Sequence, residues 1–308
     1  MRVLLLGAGA LGSLFGARLQ NAQCTPVLFG LNTDHLQAVA EHGLYFDELD
    51  GTRTCRQVKI CLTLEAMDQP PDVVLVLVKS YATDAAVASV VRYCHEKTVF
   101  VTVQNGMGNW EQIAAHVPVD RILAGVTAQA ATMVSPGHIR HGGNGPTVLG
   151  AVQEPAPMLL SSLVRLFNEA GLACSATNRV MDHIWDKLFV NIGINAVTAL
   201  TAVPNGWIAQ CVSAREIAQA AVQEAIQVAK AHGRQPNEDV VDKVMSVAEA
   251  TAANHSSMLQ DLQGFRRTEV EAINGIVCRW GREAGVPTPV NSVLSNLIHV
   301  VEQRNMSL

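Results

Sequence analysis

Near the N-terminus, residues 2–12 read Arg2-Val3-Leu4-Leu5-Leu6-Gly7-Ala8-Gly9-Ala10-Leu11-Gly12, and this segment is the strongest indication of the fold. A short apolar run typical of a buried β-strand ends in G-x-G-x-x-G, and a helical pattern follows directly. In this context the first glycine makes the turn, the second lets backbone N–H groups approach a pyrophosphate, and the third lets helix and strand pack closely. The N-terminus of the helix favours the phosphate charge. We therefore predict a dinucleotide-binding loop whose contacts come from Gly7, Gly9, Ala10, Leu11 and Gly12.

Short β-rich runs alternate with helical patterns through the first half of the chain. Several of the runs are apolar throughout, as expected for strands covered on both faces. This alternation implies right-handed β-α-β crossovers and a parallel sheet. A glycine-rich stretch at 141–145 is interpreted as a turn between two short strands. The predicted strands are Val3–Leu6, Val27–Phe29, Val58–Leu62, Val73–Val78, Val99–Val103, Ile122–Val126, Gly137–His141, Pro146–Gly150 and Leu172–Ser175.

Long helical patterns dominate from Arg179 onward, and glycines punctuate them. We place the domain boundary near Thr177. The prediction is an α/β protein with a Rossmann-type, mainly parallel-sheet domain at 1–177 and an all-α substrate domain at 178–308. The predicted helices are Leu11–Asn21, Asp34–His42, Thr83–Tyr93, Trp110–His116, Met158–Ala170, Met181–Thr201, Ala214–His232, Asn237–Ala253, Phe265–Ala284 and Ser292–Glu302.

Composition excludes several classes of partner. The chain has 308 residues, 49% of them apolar, and a net charge of −5, which suits two domains with a large core. Basic runs are absent from the sequence, so nucleic acid and anionic membranes are poor partners. The seven cysteines include no C-x-x-C pair, which is typical of reduced intracellular cysteine and indicates no metal site. The first apolar run is too short for a signal peptide. We expect a cytoplasmic protein, and the sequence leaves a homodimer open.

The end of the second predicted strand is where nicotinamide cofactors are usually told apart. An acidic residue there binds the ribose 2′-hydroxyl of NAD, and an arginine accepts the 2′-phosphate of NADP. Here the strand is followed by Gly30-Leu31-Asn32-Thr33, which offers neither. Asn32 and Thr33 are able to hydrogen-bond to either cofactor. We predict a cofactor contact from Asn32 and leave the choice of cofactor open on these residues.

Polar residues follow two neighbouring strands of the predicted sheet. Lys79 comes directly after the run 73–78, and Asn105 follows the next strand along the chain. Ligands bind at the carboxyl ends of parallel strands, so both residues are candidates for contact with cofactor or substrate. The alternatives are a solvated lysine at a loop edge and an ordinary Asn-Gly turn.

A polar stripe runs along an otherwise apolar helix in the second half. Lys187, Asn191 and Asn195 recur at i, i+4 and i+8. A helix that is apolar all round is buried, and an unpaired polar group costs about 2–7 kcal/mol on transfer from water. The stripe therefore either meets backbone carbonyls or lines a site, and we favour the site. A buried ammonium whose pKa is lowered suits proton donation to the alkoxide formed when a ketone is reduced.

A polar stretch at 254–261 is interpreted as a loop before the next helix. Asn254 and Ser257 carry groups that can bind a carboxylate or hydroxyl, and Glu269 can pair with Lys187 and set its proton affinity. On these residues alone, a helix cap followed by surface charge pairs is the simpler interpretation.

Taken together, these motifs resemble the ketopantoate reductase (2-dehydropantoate 2-reductase) family, and the match runs nearly end to end. The later blocks are far more specific than the glycine loop. The matching blocks are GAGALG at 7–12, Lys79, Gln104-Asn105-Gly106, the Trp185–Asn195 helix, Pro204-Asn205-Gly206, the stretch 255–261, Arg267-Thr268-Glu269 and Ile273-Asn274-Gly275.

The resemblance implies a Rossmann-type N-terminal domain, an all-helical C-terminal domain and an active site in the cleft between them. It implies that NADPH reduces the 2-keto group of ketopantoate to give (R)-pantoate, on the route to pantothenate and coenzyme A. Lys187 is then the general acid, Glu269 interacts with that lysine and the substrate, and Lys79 and Asn105 lie near the nicotinamide and the reacting centre. The substrate contacts that it implies are Asn105, Asn191, Asn195, Asn205, Asn254 and Ser257.

One departure from the family concerns the cofactor. Family members usually carry an arginine just after the second strand, and the corresponding position here is Leu31 or Asn32. The expectation of NADPH therefore rests on the family resemblance alone, and NADH remains an alternative cofactor. Two other functions remain open as well: reduction of a different small 2-keto acid, and a non-enzymatic dinucleotide sensor. A sensor needs the glycine loop but no proton donor, so Lys187 and Glu269 argue against it.

Overall fold

The computed structural model of the chain describes residues 1–20, 22, 24–31 and 33–307. Its contacts divide these residues into two compact units. The first comprises Met1–Gln104 and Asn109–Met181, and the second comprises Asn105–Gly108 and Asp182–Leu308. The domain boundary near residue 177 stays a prediction. The predicted end of the first helix, Asn21, and the predicted cofactor contact Asn32 lie outside the described residues.

The first unit is built around one mostly parallel sheet. In the part of the chain that the structure describes, ten strands form it: β1 (Arg2–Leu6), β2 (Thr25–Phe29), β3 (Leu44–Asp47), β4 (Arg53–Arg56), β5 (Lys59–Cys61), β6 (Val73–Val76), β7 (Val99–Thr102), β8 (Ile122–Ser135), β9 (His138–Ala151) and β10 (Cys174–Ala176). Their order is β4-β3-β9-β8-β7-β6-β1-β2-β5, and β10 pairs with β9. The pairs β3–β4 and β8–β9 are antiparallel and the others parallel.

Apolar side chains alternate between the two faces of this sheet and form a core on each. In β1, Val3 and Leu5 belong to one buried cluster, and Leu4 and Leu6 belong to the other. This alternation is the period of two that a strand imposes, and it explains why a strand covered on both sides is apolar throughout. The covering helices are α1 (Ala10–Leu19), α2 (Thr33–His42), α3 (Thr83–Val90), α4 (Asn109–Ala114) and α5 (Leu160–Glu169). The predicted α/β, Rossmann-type architecture is confirmed.

The predicted glycine-rich turn at 141–145 is wrong, because this stretch lies inside the 14-residue strand β9. It pairs with β8 through a register that shifts between Thr127 and Gln129. The Gln129 amide donates across the pair to Asn144 Oδ1 at 2.7 Å and to the Gly145 carbonyl at 2.8 Å. A side chain at Gly145 would overlap Ala128 on β8. The glycines therefore permit bulges and a close approach of two strands. The turn itself is at Gly137, whose φ is +75°.

The second unit is helical in its described residues. Its helices are α6 (Val180–Thr201, which starts at the end of the first unit), α7 (Trp207–Gln210), α8 (Val212–Ala231), α9 (Val240–Ala250), α10 (Ser257–Gln263), a π-helical turn (Glu271–Gly275), α11 (Ile276–Ala284) and α12 (Pro289–Met306). None of the helices in the described chain is long and apolar enough to cross a bilayer.

Two predictions in this unit are wrong at their boundaries. The polar stretch 254–261 is not all loop, because α10 begins within it and Ser256 Oγ caps the helix by accepting the Leu259 N–H at 3.2 Å. The helix predicted to begin at Phe265 begins later, with the π-helical turn. Phe265 itself has a φ of +53°, a left-handed conformation that no helix contains.

Candidate active site

The glycine loop joins β1 to α1 and lies against the ends of β2 and β6. Gly7 donates its N–H to the Phe29 carbonyl at 2.8 Å, and its φ of +130° is open only to glycine. A Cβ at Gly7 would lie 2.6 Å from the Val78 nitrogen, and a Cβ at Gly12 would overlap the Gly7 carbonyl oxygen. Both glycines are therefore required by the close packing of helix and strands.

Gly9 differs from these two because it leaves space. It is exposed, and a Cβ built on it meets no atom within 4 Å. It precedes α1, whose first-turn N–H groups at Ala10, Leu11 and Gly12 lie outside the helical hydrogen-bond ladder. Open space in front of these donors fits a pyrophosphate at the positive end of the helix. The loop therefore suits a dinucleotide.

The loop after β2 carries no cation at its described positions. Leu31 is 95% exposed, and Thr33 opens α2 with an exposed side chain. Gly30 packs under the glycine loop, where a Cβ would lie 2.6 Å from the Ala8 nitrogen. The end of β2 is thus held beside the dinucleotide loop, as the fold requires of the segment that meets the adenine ribose.

Lys79 is half-buried and stands between β6 and a short 3-10 turn at Ser80–Ala82. Gln104, at the end of the next strand, donates its amide N–H groups to the Val78 carbonyl at 2.6 Å and to Thr83 Oγ1 at 2.8 Å. It therefore holds the loop that carries Lys79. No role for Gln104 was predicted from the sequence. Gln104 follows an apolar strand, as Lys79 does, and this position was the signal from which a role could have been predicted.

Asn105 belongs to the segment Asn105–Gly108, which the contacts group with the second unit. The Met107 N–H donates to the Ala272 carbonyl in the π-helical turn at 2.9 Å. Gly106 has a φ of +79°, and any side chain there would overlap the Ala272 backbone. These contacts hold the half-buried Asn105 beside the π-helical turn, and its role stays a prediction.

Lys187 lies on α6 with a partly buried side chain. Burial lowers the pKa of its ammonium, and the charge of Glu269 raises it. The net pKa is about 8, below the ordinary 10.5. Glu269 is itself 8% exposed. A cation that has lost much of its hydration and faces one carboxylate is the arrangement that tunes a proton donor toward neutral pH.

The amides of the polar stripe continue along α6 from Lys187. Asn191 is partly buried, and Asn195 is 6% exposed. Trp185 and Phe189 pack against each other with ring centroids 5.5 Å apart. The structure therefore places Lys187, Asn191 and Asn195 on one helix within a largely buried environment. Their roles as site residues stay predictions.

Asn205 presents a buried acceptor. Its backbone N–H donates to the Asn254 carbonyl at 2.9 Å, and its Nδ2 donates to Thr251 Oγ1 at 3.0 Å. Its Oδ1 is buried and has no hydrogen-bond partner among the residues that the structure describes. An unpaired buried carbonyl oxygen is costly, and a ligand hydroxyl would satisfy it. Asn254, by contrast, is exposed.

Ser257 is the first residue of α10, with an exposed side chain. The preceding Ser256 is buried and lies 2.8 Å from Thr198 Oγ1 on α6, one turn beyond Asn195. Ser256 thus ties the start of α10 to the helix that carries the polar stripe. Ser256 was not predicted as a site residue from the sequence, although a serine before a helical pattern is a known capping signal.

The sheet and the glycine loop together define a dinucleotide-binding protein. Family models described as "Ketopantoate reductase PanE/ApbA" and "Ketopantoate reductase PanE/ApbA C terminal" match residues 3–154 and 179–302, respectively. The chain belongs to this ketopantoate reductase family, as the sequence motifs predicted.

Three relatives illustrate the similarity. The 2-dehydropantoate 2-reductase of Halobacterium salinarum is 36% identical over 303 residues, which cover 98% of this chain and 99% of that protein. The crystal structure of a PanE/ApbA family ketopantoate reductase from Ralstonia eutropha JMP134 is 28% identical, with a TM-score of 0.91 and coverage of 99% and 100%. The ternary structure of D-mandelate dehydrogenase with NADH and anilino(oxo)acetate is 25% identical, with a TM-score of 0.93 and coverage of 99% of each chain.

Proposed function

We propose that this chain is a 2-dehydropantoate 2-reductase, which reduces the 2-keto group of 2-dehydropantoate to the hydroxyl of (R)-pantoate in pantothenate biosynthesis. The observation that carries the proposal is Lys187, an ammonium with a pKa lowered to about 8 beside Glu269. The end-to-end similarity to a curated reductase of that name supports the choice of substrate. The seven cysteines, which include no C-x-x-C pair, fit a reducing compartment, so the proposal places the activity in the cytoplasm.

The residues of the first unit bind the nicotinamide dinucleotide through Gly7, Gly9 and the first turn of α1. When bound, the reduced cofactor supplies the hydride that adds to the carbonyl carbon. Lys187 donates a proton from Nζ to the carbonyl oxygen as negative charge develops there. With a pKa of about 8, the ammonium outnumbers the neutral amine about tenfold at pH 7, so the donor is present.

Amide and hydroxyl groups of the second unit orient the substrate in this proposal. Asn205 Oδ1, the buried unpaired acceptor, takes a hydrogen bond from a substrate hydroxyl. The predicted contacts from Asn105, Asn191, Asn195, Asn254 and Ser257 complete the set. Glu269 keeps Lys187 protonated, because its charge raises the pKa of that lysine.

NADPH is the proposed hydride donor, and family membership supports it. NADH is the second candidate, because the loop after β2 carries Leu31 where a 2′-phosphate would need a cation. The NADH in the structure of D-mandelate dehydrogenase is consistent with this second candidate.

A second candidate reaction is reduction of a different 2-keto acid, which the likeness to D-mandelate dehydrogenase favours. Steady-state kinetics with 2-dehydropantoate, an aryl 2-keto acid and pyruvate, each with NADPH and with NADH, separate the candidates. We expect the highest kcat/KM for 2-dehydropantoate with NADPH. A higher kcat/KM for the aryl 2-keto acid or for pyruvate would show that 2-dehydropantoate is not the preferred substrate. A higher kcat/KM with NADH would show that NADPH is not the preferred cofactor.

A further inference from the structure

Helix α12 carries a buried carboxylate that holds the chain next to Glu269. Glu302 is 6% exposed, and its Oε1 accepts the backbone N–H of Thr268 at 2.6 Å. Its Oε2 lies 3.1 Å from Nδ1 of His299, one turn earlier on the same helix. A buried carboxylate needs such partners, because desolvation without them is costly.

His299 bridges Glu302 to a second carboxylate, that of Glu271, which follows Glu269 in sequence. Its Nε2 lies 2.6 Å from Glu271 Oε1, in the π-helical turn. An ionised carboxylate only accepts hydrogen bonds, so a ring that donates to both carboxylates at once is an imidazolium. Burial lowers the pKa of His299, but hydrogen bonds to Glu271 and Glu302 and their charges outweigh it, and the net pKa is raised.

These contacts bracket Glu269 in sequence. Thr268 precedes it by one residue, and Glu271 follows it by two. Glu269 lies just before the π-helical turn, and the α-helix α11 begins only at Ile276. Glu302 and His299, both on α12, therefore hold the chain on each side of Glu269 in sequence. We call Glu302, His299 and Glu271 the α12 clasp.

We propose that Glu302 and His299 are positioning residues, which hold the Glu269 carboxylate against Lys187 by anchoring Thr268 and Glu271. In this proposal neither residue contacts substrate or cofactor, and both act through Glu269. The charged groups in contact with His299 are Glu271 and Glu302. The other two charged groups in the proposal are Glu269 and Lys187. The catalytic consequence rests on the proposed function, but the effect on Lys187 itself does not.

Two substitutions at Glu302 separate its contributions. Glu302→Ala removes both the Thr268 anchor and the partner of His299. Glu302→Gln keeps an oxygen for the Thr268 N–H, but its amide nitrogen faces His299 Nδ1, so the ring must accept there and lose its positive charge. Gln303→Ala, at an exposed position of the same helix, is the matched control.

The test is a direct titration of Lys187 by NMR of protein labelled with [ε-13C]lysine. The chain has six lysines, so the Lys187 resonance can be assigned from its loss in Lys187→Ala. We expect Glu302→Ala to lower the titration midpoint of Lys187 by about half a pH unit or more, because a displaced Glu269 supports the ammonium less. Glu302→Gln should fall between Glu302→Ala and wild type, and Gln303→Ala should match wild type.

A second test measures kcat and the KM for the cofactor separately, because a positioning residue should affect kcat alone. For Glu302→Ala we expect kcat with 2-dehydropantoate to fall by about 10- to 100-fold, the scale of misplaced catalytic groups, with KM for NADPH unchanged. If Glu302→Ala fails to fold, His299→Ala and Glu302→Gln carry the test. An unchanged Lys187 midpoint in folded variants, whatever their melting temperature, would overturn the clasp. A wild-type enzyme that leaves 2-dehydropantoate unreduced would overturn the proposed function, while the titration would still decide the clasp.

Discussion

Removing the charge of Glu269 while keeping its shape tests the electrostatics of the site. In Glu269→Gln, burial still lowers the pKa of Lys187, but the carboxylate that raises it is gone. An opposite charge nearby typically moves a pKa by about 1–3 units, so the lysine of the variant should titrate near pH 6, about two units lower.

The consequence for activity depends on pH in a defined direction. At pH 7.5 the wild-type lysine, with a pKa of about 8, is about three-quarters ammonium. With a pKa near 6, only about 3% remains protonated, which predicts about a 25-fold loss of kcat at that pH. Because the loss comes from deprotonation, it should shrink as the pH falls toward 5.5.

The assay is kcat for 2-dehydropantoate reduction between pH 5 and pH 10, for wild type and Glu269→Gln. The wild-type rate should fall as the pH rises through about 8, and the variant should show the same fall at lower pH. The control is Asp186→Asn, one residue from Lys187, where the native carboxylate pairs with Lys243 at 2.8 Å instead. A falling limb that stays near pH 8 in Glu269→Gln would refute the coupling of the two residues.

Three further predictions concern stability and the cofactor. Between pH 7 and pH 10, the free energy of unfolding of wild type should rise by about 2–3 kcal/mol relative to that of Lys187→Met. The pKa of Lys187 is lowered in the folded chain, so the folded chain releases a proton over this range that the unfolded chain keeps. Equal urea unfolding curves at both pH values would contradict this. Leu31→Arg should lower KM for NADPH about tenfold and leave KM for NADH unchanged, since a guanidinium pairs with the 2′-phosphate; parallel changes in both KM values would exclude a 2′-phosphate contact. Gly12→Ala should disrupt folding, whereas Gly9→Ala, with open space at its Cβ, should fold normally and weaken cofactor binding in titration calorimetry; equal melting temperatures for the two variants would contradict the packing argument.

The sequence predicted the centre of the first unit well because its signals are local. The strands β1, β6 and β7 lie in mainly apolar runs that end at Gly7, Lys79 and Gln104, and strands buried on both faces are expected to show this pattern. The hairpin of β3 and β4 was missed for the opposite reason. The strand Arg53–Arg56 reads Arg-Thr-Cys-Arg, and a polar edge strand of this kind carries no apolar alternation.

Parts of the candidate site depend on contacts between residues far apart in sequence. The i, i+4, i+8 stripe of Lys187 is visible on a helical repeat, so its residues could be named in advance. The anchor of Thr268 on Glu302 spans 34 residues, and no periodicity indicates it. Gln104 and Ser256 show the same limit, because each holds a neighbouring loop or helix through hydrogen bonds to residues far away in sequence.

The role of Lys187 as proton donor is tested by the rate of 2-dehydropantoate reduction by Lys187→Ala at pH 7, measured beside wild type at saturating NADPH. If Lys187 is the proton donor, the variant should bind NADPH with unchanged affinity and turn over at least about 100-fold more slowly. A variant that binds NADPH and reduces 2-dehydropantoate at the wild-type rate would show that Lys187 is not the proton donor.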